Sequence, residues 1–260
     1  VYSGAALPVT TTGAILSIAD KIDSICGCFS VGLIPTGASD PYALRRQGIG
    51  IVQIMQDKGF SLSLKELIQE SIRLFGEKST GEANDLTEKV YTFIKNRASR
   101  LLAEEGHSKD VIAAVVDVSA DDVPNVWNRV SALESLKAQP DFEPLVAGFK
   151  RVGNIIKKSG KFDEGTGLKA IDETLFEHAS EADLYSNYQE VEGKVTEAMA
   201  RGLFDQALRE IASLRNSVDA FFDGVMVMAD DAKIRDNRLA LLGHIAALFG
   251  RFADFSKISS

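Results

Sequence analysis

Positively charged side chains recur along the segment Phe142–Lys158 at spacings that a helix would bring to one face. At about 100° per residue, four cations and one amide share a face about 120° wide, and the opposite face is apolar. No acidic residue interrupts this row between residues 144 and 162. Cations with a hydrogen-bonding amide among them suit a nucleic-acid backbone, since phosphates attract the charges. The predicted nucleic-acid contacts on this helix are Lys150, Arg151, Asn154, Lys157 and Lys158.

The same basic row has a second explanation that involves no ligand. Cations near the carboxyl end of a helix are common, because they interact favourably with the helix dipole. A solvated face of this kind would bind nothing. The acidic character of the rest of the chain favours the binding hypothesis, since cations that do bind must then be clustered.

Two arginines near the carboxyl terminus need separate explanations. Arg238 points into the apolar stripe of its predicted helix, where an unpaired guanidinium is costly. We therefore expect a structural ion pair with a nearby aspartate, Asp223 or alternatively Asp230. Arg235 lies at the edge of the stripe, from which it is predicted to reach a phosphate or a base.

Residues for catalysis or metal binding are sparse. The three histidines, His107, His178 and His244, are far apart, and none is followed by aspartate. Asp20 and Asp23 share a helical face, but two carboxylates without histidine make a poor transition-metal site.

The remaining chemically distinctive side chains favour structural roles. The thiols of Cys26 and Cys28 would diverge by about 200° on a helix, and without further cysteines zinc is not expected. Trp127 is predicted to be a core residue rather than a base-stacking platform. No nucleophile–histidine–acid arrangement is visible.

Composition limits the class of protein. The 260 residues are 45% hydrophobic and 25% charged, as in an ordinary globular protein, and the net charge of −8 excludes a uniformly basic nucleic-acid coat. Two cysteines cannot make a disulfide framework, so a reducing cytoplasm is expected. The chain begins with Val1 rather than methionine, and its first 13 residues carry no charge. We therefore expect this sequence to be a piece of a longer protein.

Hydrophobic periodicity predicts an all-α fold, because apolar residues recur at helical spacing and no long run alternates with period two. The first helix is predicted to bury one apolar stripe, made of Ile15, Leu16, Ile18, Ala19, Ile22, Ile25, Cys26 and Phe29. The second helix is predicted to begin at Pro41 with Asp40 as its cap. Later helices are predicted over Ala170–Gly202, Val218–Met228 and Asp231–Phe255. The acidic, proline-ended segment Asp117–Pro124 predicts two domains, residues 1–118 and 119–260.

Three blocks of the chain resemble one family, in the expected order. They are IADKIDSICGCFSVGLIPTGASDPYALRRQGIGI near the start, FKRVGNIIKKS in the middle, and DAFFDGVMVMADDAKIRDNRLALLGHIAALFGRFADFSKI at the end. Together they are similar to the beta subunit of bacterial glycyl-tRNA synthetase. One departure is that Ala5 and Ala6 stand where the family often has an acidic residue.

The resemblance implies an organisation and a function. The first domain would be the later part of a helical HD-like domain, and the second a helical anticodon-binding domain of the DALR type. The whole enzyme would be an alpha2–beta2 ligase that uses ATP and Mg to join glycine to tRNA(Gly) in the cytoplasm. Catalysis would belong to the alpha subunit, and the beta subunit would mainly bind tRNA(Gly) and position it for aminoacylation. We therefore expect no catalytic residue, metal or cofactor in this chain.

Two other functions stay open at this stage. The helices would serve as a docking scaffold for another subunit if the RNA contacts lay elsewhere, and exposed apolar patches within the first 75 residues would favour that role. A metal-dependent phosphohydrolase of the HD type is a third hypothesis, for which the sequence offers few ligands.

Overall fold

The chain folds into helices, as seen in a computed structural model that describes residues 6–76, 82–140, 142–160 and 168–259. This part contains no β-strand, which confirms the predicted all-α class. Short 3-10 turns cover Glu173–Leu175 and Phe255–Lys257. The helices are α1 Thr11–Ser30, α2 Leu44–Lys58, α3 Leu64–Phe75, α4 Ala83–Glu104, α5 Lys109–Val116, α6 Val123–Lys137, α7 Phe142–Ser159, α8 Ala179–Ala200, α9 Phe204–Ser213, α10 Arg215–Gly224 and α11 Ala232–Gly250. Within the described residues, no helix has the length and apolar character that crossing a bilayer requires.

The chain forms two compact units. Unit 1 comprises Val1–Ile112 and Ser119–Trp127, and unit 2 comprises Ala113–Val118 and Asn128–Ser260. The single boundary after residue 118 stays a prediction.

Unit 1 is built around α1, which packs against α2, α3 and α4. The buried stripe of α1 runs through Ala14, Ile18 and Ile22 at helical spacing. The predicted stripe is confirmed at Ile18, Ile22, Ile25, Cys26 and Phe29. It was wrong at Ile15, Leu16 and Ala19, which are exposed, Ile15 and Leu16 by 54% and 65%. Ile15 and Leu16 are the next two residues after the buried Ala14, so their side chains point about 100° and 200° away from it around the helix axis.

The start of α2 also differs from its prediction. The helix begins at Leu44 rather than Pro41, because Ala43 adopts a left-handed conformation with φ of 54°. Asp40 nevertheless caps the helix, since its carboxylate accepts hydrogen bonds from the N–H groups of Leu44 at 2.8 Å and Arg45 at 3.0 Å. The predicted capping residue is correct, but it acts across a longer turn.

Unit 2 places α7 against α11, α10 and the turn Phe255–Lys257, while α8 packs against α9, α10 and α11. The predicted helix Ala170–Gly202 is shorter, since α8 begins only at Ala179, after His178 as N-cap. Asn237 keeps the segment around Asp172 out of the helix. Its Oδ1 accepts from the Asp172 N–H at 2.8 Å, and its Nδ2 donates to the Asp172 carbonyl oxygen at 2.9 Å. Helices α10 and α11 end at Gly224 and Gly250, earlier than predicted.

Candidate nucleic-acid interface

Helix α7 has an apolar face and a basic face, as the helical spacing of its residues predicted. Its apolar side chains are buried, namely Phe142, Leu145, Val146, Phe149, Val152 and Ile156. On the other face Arg151, Asn154, Lys157 and Lys158 are exposed, and Lys150 is partly buried. All five predicted contacts therefore lie on one helix of unit 2.

A cavity of about 680 Å³ opens beside this basic face. Lys150, Asn154 and Lys157 line one side of it at successive turns of α7. The other side is formed by residues near the end of α5, the end of α11 and the segment that follows it. These are Asp117, Val118, Ala246, Phe249, Gly250, Ala253, Asp254, Phe255 and Ser256. Among the lining residues, only Lys150, Asn154 and Lys157 were predicted contacts. The residues from outside α7 lie 32 or more positions away from these three in sequence, and no local pattern connects them to α7.

Three phenylalanines form an aromatic cluster at the cavity. The ring centroid of Phe149 lies 3.9 Å from that of Phe249 and 4.8 Å from that of Phe255. All three side chains are buried. Packed aromatic clusters of this kind resist rearrangement, so α7 and the end of α11 hold a fixed spacing.

The cavity also contains hydrogen-bond acceptors. Asp254 caps the turn at Phe255–Lys257, where its carboxylate accepts from the Ser256 N–H at 3.1 Å and the Ser256 hydroxyl at 2.6 Å. Asp117 is in ionic contact with Lys257. The cavity thus combines cationic donors, one amide and two carboxylates, which together can recognise both the phosphate and the base edge of a nucleotide.

Arg151 lies beside the cavity rather than in it. Its guanidinium carbon sits 4.0 Å from the centroid of the Phe222 ring on α10. A cation stacked on an aromatic face keeps its N–H groups free at the edge of the plane. Arg151 is therefore held in place and remains able to contact a phosphate.

Arg235 has a different environment from its predicted one. It is half-buried, and its Nη1 donates to the carbonyl oxygens of Ala229 at 2.9 Å and Asp230 at 3.4 Å. These bonds fasten the segment 225–231 to α11. The structure does not bring Arg235 to the cavity that Lys150, Asn154 and Lys157 line, and its predicted contact with RNA stays a prediction.

Arg238 forms a buried ion pair, but not with the predicted aspartate. Its Nε donates to Glu181 Oε1 at 2.9 Å, its Nη2 to Glu177 Oε2 at 3.0 Å, and its Nη1 to the carbonyl oxygen of Met226 at 3.1 Å. Asp223, by contrast, is exposed on α10. The predicted partner was wrong because the carboxylates come from the start of α8, 57 and 61 positions away in sequence.

Glu181 stays charged in this pair despite its burial. Burial alone opposes its charged form, but hydrogen bonds from Arg238 and from the N–H groups of Glu177 and His178 outweigh that effect, and the pKa of Glu181 lies below its ordinary value. The same carboxylate completes the capping box of α8. One glutamate therefore joins the start of α8 to the middle of α11.

The tryptophan, histidine and aspartate residues considered as functional candidates have environments that fit structural roles. Trp127 is buried and donates from Nε1 to Glu105 at 2.9 Å, which confirms its predicted place in the core. His178 caps α8 instead of lying within a helix. Asp20 and Asp23 are exposed on α1, and no cluster of three or more His, Cys, Asp or Glu residues suited to a metal ion occurs in the described ranges.

Comparison with known proteins gives consistent matches along the chain. The family model for the glycyl-tRNA synthetase beta subunit matches residues 1–117, and that for the DALR anticodon binding domain matches residues 145–253. The glycine–tRNA ligase beta subunit of Desulfatibacillum aliphaticivorans is 51% identical over 100% of this chain and 37% of its own length. The corresponding subunit of Geobacter metallireducens is 46% identical over 99% of the chain and 36% of its own length. The chain thus spans little more than a third of these relatives.

Proposed function

Because the chain belongs to the family of glycine–tRNA ligase beta subunits, we propose that it binds tRNA(Gly) and positions it for aminoacylation. The observation that carries this proposal is the match of residues 145–253 to an anticodon-binding domain. That range contains the whole basic face of α7 from Lys150 to Lys158, together with Arg235.

The geometry of the basic face supports a division of labour. Arg151 and Lys158 are exposed outside the cavity lining, where they would hold phosphates of the anticodon loop. Lys150, Asn154 and Lys157 line the cavity together with two carboxylates, where an unstacked base would find both donors and acceptors. Phosphate contacts would fix position, and contacts to the base edge would give sequence preference.

Positioning is the catalytic contribution that we assign to this chain. Binding the anticodon end of a tRNA orients its acceptor end, which lowers the barrier through proximity rather than bond-making. We assign the chemistry, with its ATP and Mg, to an alpha subunit in an alpha2–beta2 assembly, and we place that assembly in the cytoplasm, where tRNA is charged. We assign no catalytic residue to this chain.

The test is tRNA(Gly) binding by the variant K150E/R151E/K158E, followed by fluorescence anisotropy between 50 and 200 mM salt. Losing the two phosphate contacts of Arg151 and Lys158 would lower the slope of log affinity against log salt by about two, and reversing Lys150 would weaken binding in the cavity as well. A matched control with the same charge change is K194E/R201E/K233E, which reverses three exposed cations outside α7. Equal affinity and equal slope for the two triple variants would reject the basic face as the contact.

A second function, docking of another subunit, is favoured by an apolar surface on unit 1. Ile15 and Leu16 are 54% and 65% exposed, and Val9 just before α1 is 90% exposed. Ile15 and Leu16 are neighbours on α1, and adjoining exposed apolar side chains occur at protein interfaces. Co-purification of the chain with the alpha subunit in the absence of tRNA would support docking, and its loss in I15E/L16E would locate it.

A further inference from the structure

A groove of about 480 Å³ lies on unit 1, apart from the basic face of α7. It runs beside α2 and α4, and the loop after α1 forms one wall. Its residues include two arginines, Arg45 and Arg97, one amide, Asn96, and the apolar pair Ile34 and Pro35. They come from three separate segments of the chain, so no local sequence pattern connects them.

Arg97 is held rigidly at the floor of this groove. Its guanidinium carbon lies 4.2 Å from the centroid of the Phe93 ring, one turn earlier on α4, and its Nη1 donates to the Phe93 carbonyl oxygen at 2.7 Å. Gly48 on α2 makes this arrangement possible, since a Cβ there would lie 3.3 Å from the Phe93 ring and 3.5 Å from Arg97 Cγ. The close contact between the helices thus fixes the direction of the charge.

Arg45 lies one helical turn before Gly48 on α2 and lines the same groove. The carboxylate closest to it in sequence, Asp40, is already bonded to the N–H groups of Leu44 and Arg45 at the helix start. Burial lowers the pKa of Arg97 and the positive charge of Arg45 lowers it further, while the negative charge of Asp40 acts in the opposite direction without reversing the shift. The charges of these two arginines therefore repel each other, and an anion bound beside both would relieve that repulsion.

Neither arginine has a carboxylate partner within 4.0 Å in the described part of the chain. The two acidic residues of the groove are engaged with lysines instead. Asp85 pairs with Lys89 at 2.6 Å and Glu88 with Lys65 at 2.7 Å. The groove therefore offers two arginines that have no direct carboxylate partner, beside an apolar wall, and the charge of Asp40 offsets theirs only in part.

We propose that this groove binds one nucleotide unit of the tRNA, with its phosphate on Arg45 and Arg97 and its base against Ile34 and Pro35. The inference rests on the proposed function and adds a second RNA contact, on unit 1. A volume of about 480 Å³ lies within the range of pockets that bind small molecules and cofactors, which includes single nucleotides. An arginine pair matches the geometry of phosphate oxygens, and an apolar wall suits a flat base.

The direct test compares R45E with R46E in the whole 260-residue chain. Arg46 is the next residue of α2, is exposed and does not line the groove, so the two variants change the net charge equally. Fluorescein-labelled tRNA(Gly) transcript is titrated at 50 to 200 mM KCl and followed by anisotropy. We expect R45E to weaken binding about tenfold more than R46E and to lower the salt slope by about one more.

A second variant guards against a local folding defect in R45E. N96D places a negative charge in the groove on an exposed side chain of α4, leaves the arginine stack untouched, and is expected to weaken tRNA binding in the same direction. Circular dichroism verifies that both variants keep the helix content of the parent. Affinities for R45E and N96D that match R46E would overturn the inference.

The outcomes separate this inference from the proposed function. If K150E/R151E/K158E weakens tRNA binding and R45E does not, the groove contact is wrong and the function of α7 stands. If neither variant differs from its control, both fail. ATP or poly-glutamate that binds in an Arg45-dependent way, with tRNA affinity unchanged, would assign the groove to a free nucleotide or an acidic peptide and overturn the RNA contact.

Discussion

Replacing Arg238 by methionine should destabilise unit 2 severely, because it leaves a buried charge without its partner. Arg238 is 6% exposed and Glu181 is 1% exposed, and two hydrogen bonds of 2.9 and 3.2 Å join them. Removing one partner of such a pair typically costs about 3–5 kcal/mol. We expect a loss of this size in the free energy of unfolding of R238M at pH 7, measured by urea denaturation and circular dichroism.

The pH dependence of this loss provides an independent check. The pKa of Glu181 is lower in the folded than in the unfolded chain, so its contribution to stability is present above the unfolded value of about 4.3 and is lost as pH falls through the folded value. In R238M the same buried carboxyl group has lost its counter-ion and protonates more readily. The difference between R238M and the parent should therefore shrink as pH is lowered from 7 toward 4.

Two controls make the result interpretable. R201M breaks an exposed pair with Glu197 on α8 and should cost at most about 1 kcal/mol. The double variant R238M/E181Q removes the stranded charge but keeps an oxygen to accept the N–H groups of the capping box, so it should be more stable than R238M alone. A cost for R238M below about 1 kcal/mol, or one that stays constant between pH 7 and 4, would refute this account of the pair.

The remaining predictions concern a close contact and the two thiols. G224A should destabilise unit 2, since a Cβ at that position would lie 2.5 Å from His178 Cε1. G193A is the control and should stabilise α8 by about 0.5–1 kcal/mol, because a Cβ there has no neighbouring atom within 4 Å. Urea denaturation measures both free energies of unfolding, and equal effects of the two substitutions would contradict the contact with His178. Burial raises the pKa of Cys26 to about 11, so its thiol should be inert to Ellman's reagent at pH 8 in the folded chain. Cys28 is only partly buried and should react first, so the native chain of C28S should titrate no thiol until urea is added.

Local sequence patterns were sufficient for the basic helix. The periodicity of Phe142–Lys158 predicted both faces of α7, because a helix sorts its own side chains and needs no distant partner to do so. The same reasoning failed for the partner of Arg238, which depends on a contact with α8. It also failed for the start of α8, where Asn237 holds the segment around Asp172 out of the helix.

The features that depend on tertiary packing could not be predicted from the sequence, because local patterns do not show which segments contact each other. The cavity beside α7 includes Asp117 and Ser256, which local patterns treat as unrelated. The groove on unit 1 depends on Gly48, whose missing side chain is meaningful only once Phe93 is placed against it. Helical periodicity identifies which face is buried, whereas the identity of the neighbour emerges only from the fold.

The two arginines of α11 that bond to residues 225–231 hold the backbone of this edge of unit 2 in place. Three carbonyl oxygens of the segment, those of Met226, Ala229 and Asp230, already accept hydrogen bonds from Arg238 and Arg235. The side chains of Met226 and Met228 nevertheless point outward, at 76% and 59% exposure. A surface with a preorganised backbone loses little conformational entropy on association. A partner that bound at this edge would therefore bind with little backbone rearrangement.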